Sequence, residues 1–474
     1  MQRLQKIGHV TPKNAAQVRS SRLGIGFEKL DRDVFDPEKA YDKVAALGVK
    51  WVRIQSGWQR TEREKGVYSF AWLDSIVDQL IVRGLRPWIC LCYGNGLYDE
   101  NAAKIFGAVG VPPIFTQEQR AAWRGYVAAL VERYRDRVSH YEIWNEPDWC
   151  WKHGADATEL GNFTVDTARV IRSVYPGARI IGGVLCDPSL DFINRALATT
   201  DMAQWIDAIS FHEYTADERS VPERVRSLHA CADRYRPGIG IIQGESGSQS
   251  RAGGNGALHE LLWTEKAQMK QLARHTLMDL ATDVEFTSYF SCMDMIEALH
   301  GKVGDTASYL DYGYFGVLSA EFDDQGRSTG AYHPKPSYFA LQAISAAFAG
   351  EYQRIARMPL RVTPQFFAAY GQQELGREQL ALSWYRREGG EALVYWKPEN
   401  VLTTDFLGTL SGQLMTEHAD FTLIDLCDGT VYALPEGMVE SRGYGLYNLH
   451  HLPVRDTPLA LVMGKFCDWS EETP

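Results

Sequence analysis

Tyr141-Glu142-Ile143-Trp144-Asn145-Glu146-Pro147 is largely apolar up to Trp144 and then meets an amide, an acid and a proline. Val138, Tyr141, Ile143 and Trp144 suit a buried, pleated strand. Pro147 cannot continue a central strand, so Asn145 and Glu146 stand at its carboxyl end. In a parallel α/β barrel that end is the reactive face. With Trp144, Trp149 and Trp151 around it, the Glu146 carboxyl is expected to have its charged form disfavoured, as a general acid requires.

Ile239-Gly240-Ile241-Ile242-Gln243-Gly244-Glu245-Ser246-Gly247 repeats the arrangement: a short apolar run that ends in an acid. Glu146 and Glu245 are separated by roughly three β/α units of about 30 residues each. If Glu146 ends a fourth strand, Glu245 ends a seventh. Two carboxylic acids facing across a cleft are the equipment of glycoside hydrolysis.

The rest of the chain supplies the other units. Strands are expected at 23–30, 49–55, 86–93, 178–183, 207–214 and 284–291. Helices are expected near 37–47, 70–83, 117–135, 157–174, 189–198, 221–235, 263–281 and 336–348. Eight alternations predict a closed (β/α)8 TIM barrel over 22–350. Past Gly350 the period changes to two. Glu388-Gly389-Gly390 and Asp428-Gly429 read as hairpin turns between alternating strands, and Leu459-Ala460-Leu461-Val462-Met463 reads as a last strand. An all-β sandwich is therefore expected over 351–474, with residues 1–21 contributing a strand to it.

Further motifs stand in order along the barrel. Val49-Lys50-Trp51-Val52-Arg53-Ile54 ends in an arginine and an apolar residue, and Ser210-Phe211-His212-Glu213-Tyr214 carries a histidine and a tyrosine. With Trp-Asn-Glu-Pro at strand four and a glutamate at strand seven, the chain resembles the retaining β-glycosidases of clan A. The nearest pattern is glycoside hydrolase family 39 and its neighbours, and the likeness runs over roughly residues 22 to 350. The resemblance implies Glu146 as acid/base and Glu245 as nucleophile, acting by double displacement on a β-glycoside. It also implies Arg53, His212 and Tyr214 around the nucleophile and Asn145 on a sugar 2-hydroxyl. Two departures stand out. Gly244-Glu245-Ser246 is not the usual threonine-glutamate context, and strand eight offers Tyr289 or Phe290 where such enzymes carry a tryptophan.

Other residues are read against plainer roles. Glu142 is expected in an ion pair with a neighbouring strand, and Glu213 is expected to point away from the pocket. Trp58, Trp88, Trp149 and Trp151 are the indoles available to stack on a sugar, with core packing as the alternative. Loops 94–115, 246–262 and 292–334, with Tyr309, Tyr312, Tyr314 and Phe315, are long enough to wall one end of a cleft. That predicts cleavage of short substrates from their end, with an endo-acting glycanase or a sugar-binding barrel without activity as alternatives.

Composition sets outer limits. The chain has 474 residues, a net charge of −11 and 12% aromatic residues. That charge argues against nucleic acid and anionic membranes as partners. Carbohydrate is the expected ligand, no metal or organic cofactor is called for, and the sequence is compatible with a homo-oligomer. The eight cysteines form no disulfide framework, His259-Glu260 lacks the second histidine of a zinc helix, and Gly253-Gly254-Asn255-Gly256 lacks a phosphate-binding frame. A phosphate-handling barrel enzyme is accordingly disfavoured. Met1-Gln2-Arg3-Leu4-Gln5-Lys6 has no apolar signal core, so a cytoplasmic location is expected.

Overall fold

Eight parallel strands close into a barrel: Leu23–Gly26, Trp51–Gln55, Arg86–Leu91, His140–Ile143, Arg179–Leu185, Ala208–His212, Gly240–Ser246 and Thr287–Tyr289. The computed structural model describes residues 4–471 apart from 188, 298–300, 303–304, 306–310 and 365–372, and apart from the side chains of 105–107. The strands hydrogen-bond in sequence order, and the eighth closes the barrel beside the first with Ser288 opposite Gly24. Because helices cover a parallel barrel and side chains fill it, its strands read as apolar runs rather than alternations.

The covering helices fall where the periodicity puts them. Ala157–Val174 matches its expected span, with Asp156 accepting from the Thr158 amide at its start. Gln117–Tyr134 opens on a capping box between Thr116 and Gln119. Strand eight is shorter than its apolar run suggests. The segment after it is organised by two antiparallel pairs, Met295–Ile296 with Tyr312–Gly313 and Leu318–Phe322 with Ser328–Pro334.

Apart from the short pair Glu62–Glu64 with Val67–Tyr68, the remaining strands form two stacked, mainly antiparallel sheets. The larger has eight strands and includes Ala381–Arg387, Gly390–Trp396 and Leu459–Gly464. Gln5–Val10 joins it between Thr430–Ala433 and Trp469–Glu471, so Leu459–Gly464 is not the last strand. Trp469–Glu471 was missed because three residues give no readable period. The smaller sheet is built around Leu407–Met415 and Leu446–Arg455, and the latter was obscured by its His, Asn and Pro content.

Gly390–Trp396 shows how the layers stack. Leu393 and Tyr395 pack into the core between the two sheets, while Ala392, Val394 and Trp396 join the core shared with the barrel. Alternation along one strand thus serves two interfaces at once. Polar clamps reinforce the second. Arg274 grips Glu218 with two hydrogen bonds of 2.8 Å and donates to the Glu399 carbonyl, while Trp396 donates to Glu218 at 2.9 Å.

Candidate active site

Glu146 and Glu245 are brought together by local backbone devices at two strand ends. After Ile143 the chain turns through Trp144 and Glu146, both at positive φ (65° and 53°), before Pro147 starts the short helix Pro147–Lys152. Proline suits a first helical position, where its missing N–H costs nothing. The turn leaves the Glu146 carboxyl about 29% exposed, while its neighbour Trp144 is buried. In strand seven, Gln243 lies opposite Phe211 but Glu245 lies opposite His212, so Gly244 is an extra residue. Such a bulge re-aims the side chain that follows it. Only glycine fits there, since a Cβ on Gly244 would lie 2.3 Å from Ser210 Oγ.

Oxygens of the two carboxyls and a ring nitrogen of His212 all lie within 4.8 Å of one another. His212 Nδ1 is 2.8 Å from Glu146 Oε1 and 3.6 Å from Glu245 Oε2. Tyr214 donates to Glu245 Oε2 at 2.6 Å, and Arg53 Nη1 donates to Oε1. Arg53 also holds Glu142 through Nε (3.2 Å) and Nη2 (2.7 Å), and Nη2 reaches Asn145 Oδ1 at 2.9 Å. Glu142 is thus a buried ion-pair partner as expected, although its arginine stands two strands away and not on a neighbouring one, and Trp88 of the strand between donates to it at 2.6 Å. Because Arg53 takes the Asn145 oxygen, the amide N–H groups are what Asn145 can offer a ligand.

The environment charges these groups unequally. Burial pushes the Glu245 carboxyl upward, but His212, Arg53 and Tyr214 together outweigh it and hold the group below the ordinary glutamate value. Burial also disfavours imidazolium at His212, yet Glu245 and Glu146 reverse that and raise its pKa. A third carboxyl, Glu28, follows strand one with Oε2 3.3 Å from Arg53 Nη1. Burial pushes Glu28 up to about 8 against the pull of Arg53.

A cavity of about 470 Å³ opens above these residues. Asn145, Glu146, Trp149, Tyr214 and Glu245 line it. Arg53 and His212 sit behind the wall, both fully buried. Trp58 and Tyr289 are corrected to other places. Trp58 is fully buried, stacks on Tyr98 and Tyr126, and donates to Glu62 at 2.5 Å. Tyr289 turns away from the cavity toward Ser248, with its hydroxyl 3.4 Å from the Ser248 carbonyl. Phe290, the next residue and therefore on the opposite side, lines the cavity instead, beside Phe315. Trp88 belongs to the barrel interior and Trp151 packs on Phe192. Glu213 points away, accepting from Ser220 at 2.7 Å. Of the wall aromatics, Phe315 lines the cavity, Tyr312 and Tyr314 pack on Phe322, and Tyr309 lies outside the described residues.

Glu28, Lys29, Arg32, Gln55 and Glu297 also line the cavity and carry no expectation from the sequence. The available signal was Glu28-Lys29 directly after the apolar run of strand one. Glu297 lies in a long connection with no motif.

Comparison with known proteins agrees with this architecture. Residues 37–233 match the family model for glycosyl hydrolases family 39, a stretch that contains Glu146 but stops short of Glu245. A β-xylosidase of Geobacillus stearothermophilus is 27% identical over 165 residues, which cover 32% of this chain and 32% of that protein. The match therefore spans about a third of that relative's length. Among solved structures, a family 39 glycoside hydrolase from Bacteroides cellulosilyticus WH2 shares the fold with a TM-score of 0.65 at 18% identity, covering 93% of this chain and 80% of that one. A monomeric β-xylosidase from Caulobacter crescentus CB15 aligns with a TM-score of 0.58 at 16% identity, over 96% and 98% of the two chains. Over residues 37–233, then, this chain is similar to the glycosyl hydrolases of family 39, and its fold is shared with a solved member of that family.

Proposed function

We propose that this protein is a retaining glycoside hydrolase that cleaves β-glycosides by double displacement. The observation that carries the reading is a pair of carboxyls with oxygens less than 4.8 Å apart and unlike surroundings. Direct attack on an anomeric carbon calls for carboxyls about 5–5.5 Å apart, whereas an interposed water needs about 6.5–9.5 Å. Glu245, held anionic by Arg53, His212 and Tyr214, attacks the anomeric carbon. Glu146, the more open of the two, gives its proton to the leaving oxygen and then deprotonates the incoming water. Asn145 holds the 2-hydroxyl through its amide. The named relatives make an aryl β-xyloside the first substrate to try.

Glu146→Ala should slow glycosides with poor leaving groups by a factor of at least about 100 and activated aryl glycosides much less, since only the former need the proton. Azide should restore turnover of the activated substrate and yield a β-glycosyl azide. Equal loss on both substrates without azide rescue would remove Glu146 from the acid/base role.

We also propose release of single sugars from the chain end. Gly256 and Ala257 from the 246–262 loop and Phe315 from the post-strand-eight segment line the cavity, with Gly256 packed so closely on the Phe315 ring that a Cβ there would lie 2.9 Å from it, which supports a walled end. A labelled oligosaccharide ladder should lose one sugar at a time. Early mid-length fragments would mean an endo-acting enzyme.

A further inference from the structure

A second cavity, of about 730 Å³, adjoins the catalytic one. Arg32, Arg60, Arg63 and Arg327 line it, in a chain whose net charge is −11. Arg32 belongs to the walls of both cavities. A recess of about 20 Å³ lies between them, walled by Tyr93 and Val109 of the catalytic cavity and by Gln59 and Arg60 of the other. A ligand that extends from the catalytic cavity past Tyr93 therefore meets the arginines next.

The acids nearby leave these arginines short of countercharge. Glu62 is fully buried and spends its oxygens on Trp58 (2.5 Å), the Gly66 amide (2.6 Å) and Tyr98 (2.5 Å). Asp31 stands 3.5 Å from Arg32. That leaves the half-exposed Asp33, with Arg327 Nη2 at 3.4 Å and Arg60 Nη1 at 3.8 Å. Both distances exceed the roughly 2.7–2.9 Å of an aligned charge-assisted hydrogen bond. Arg63 is exposed and makes no hydrogen bond or ion pair among the described residues. Burial, with Arg63 and Arg327 close by, holds the Arg60 pKa below its ordinary value despite Asp33 and Asp31. Asp33 thus shows that a carboxylate fits between Arg60 and Arg327, and its loose hold leaves charge for a second.

The arginines are positioned by the chain around them. Arg60 lies on the short helix Trp58–Thr61, donates to the Leu30 carbonyl and stacks 4.5 Å over Trp72. Arg327 sits in the turn between Leu318–Phe322 and Ser328–Pro334, where Asp323 accepts from the Gln325 and Arg327 amides at 2.9 Å each. The Ser328 amide donates to Val34 at 2.8 Å, which fixes that turn beside Asp33. Gln59 Oε1 accepts from the Gly96 amide at 3.1 Å, so the Gln59 N–H groups remain to donate at the recess.

We propose that the arginine-lined cavity binds the carboxylate of an acidic sugar next to the one that is cleaved, which makes acidic oligosaccharides the preferred substrates. The proposal rests on the glycosidase reading of the adjoining cavity. The terminal sugar occupies the end walled by Gly256 and Phe315, and the acidic neighbour lies on the leaving side. Guanidinium forks match a carboxylate with two parallel hydrogen bonds. Arg63 and Arg327 supply the open forks, and Arg60 adds its charge from behind. A cleft lined by one sign of charge also concentrates ligands of the other.

The test compares two disaccharides, in which the sugar of the best aryl glycoside is β-linked to glucuronic acid or to glucose. At low salt the acid form should exceed the glucose form at least about 10-fold in kcat/KM, as one hydrogen bond between charged groups allows. Raising salt from about 0.01 M to about 1 M shortens the screening length from about 30 Å to about 3 Å and should cut that ratio below about 3-fold. Arg63→Gln with Arg327→Gln should bring it below about 2-fold even at low salt, and Arg327→Gln alone should lower it in part. The same change at Arg226, exposed on the helix Val221–Asp233, should leave the ratio at the parent value. Calorimetric binding of both disaccharides to Glu245→Gln protein runs alongside. A ratio near one in the parent, or one unmoved by the double variant, would overturn the proposal while aryl glycoside turnover leaves the hydrolase reading intact. Arginine-dependent binding of the acid form without hydrolysis of any glycoside would sustain the proposal and refute that reading.

Discussion

Arg53 is the residue on which the site's charge balance turns. Its guanidinium touches Glu28, Glu142 and Glu245 and also reaches Asn145. Tyr214 and His212 add to it in keeping Glu245 ionised. Since the Glu245 pKa is held below the ordinary glutamate value, the acid limb of kcat/KM should lie below about pH 4.5. Tyr214→Phe removes one stabilising hydrogen bond, so that limb should move to higher pH and kcat/KM should fall roughly tenfold. An unmoved limb would show that another group sets it. Glu28 gives the opposite sign. Its folded pKa of about 8 exceeds the ordinary glutamate value of 4.5, so the folded state binds the extra proton and stability is lost as pH rises from 4.5 through 8. Replacing it removes that loss. The melting temperature of Glu28→Gln relative to the parent should therefore rise between pH 5 and pH 8, measured by thermal unfolding across buffers. A constant difference would contradict the assignment.

Strand ends decide which residues reach the cavity, and here the sequence was legible in part. Trp-Asn-Glu-Pro and Gly-Glu-Ser mark places where an apolar run stops at an acid, and both acids face the cavity. His212 and Tyr214 reach Glu245 from the carboxyl end of the neighbouring sixth strand, and Arg53 reaches it across the barrel from the middle of strand two. At strand eight the sequence left Tyr289 and Phe290 open, and Phe290 is the one that lines the cavity, because in a pleated strand one residue reverses the facing. Tyr289→Phe should accordingly change kcat/KM less than about threefold, while Phe290→Ala should lower it at least tenfold through lost ring contact. Steady-state kinetics on one aryl glycoside separates the two. Trp58 could not be told from a stacking platform, since burial by Tyr98, Trp123 and Tyr126 depends on contacts distant in sequence. Glu28, Lys29 and Glu297 were invisible for the same reason: the loops that bring them together have no period.

The molecule as a whole couples barrel and sandwich through one sheet face and a few buried ions. Arg274 is 1% exposed and Glu218 3%, so neither is solvated if the other is removed. Arg274→Met should cost about 3–5 kcal/mol by leaving a buried carboxyl without its cation. Adding Glu218→Gln should recover part of it, which chemical denaturation can measure. The eight alternations of the barrel and the switch to period two after Gly350 were readable because they rest on local pattern. The pairing of Gln5–Val10 with Thr430–Ala433 and Trp469–Glu471 joins the two ends of the chain, and local pattern does not specify such partners. Among the described residues, no helix is long and apolar enough to cross a membrane.

The central claim is that Glu245 attacks the anomeric carbon while Glu146 stands opposite. A 2-fluoro β-glycoside with a good leaving group forms the glycosyl–enzyme but hydrolyses it slowly, so mass spectrometry of the digested protein reads the attacking residue directly. The account predicts a single added fluorosugar on the peptide containing Glu245, with proton NMR of an unmodified substrate giving the β-configured sugar as first product. Labelling of another residue, or an α-configured first product, would contradict it.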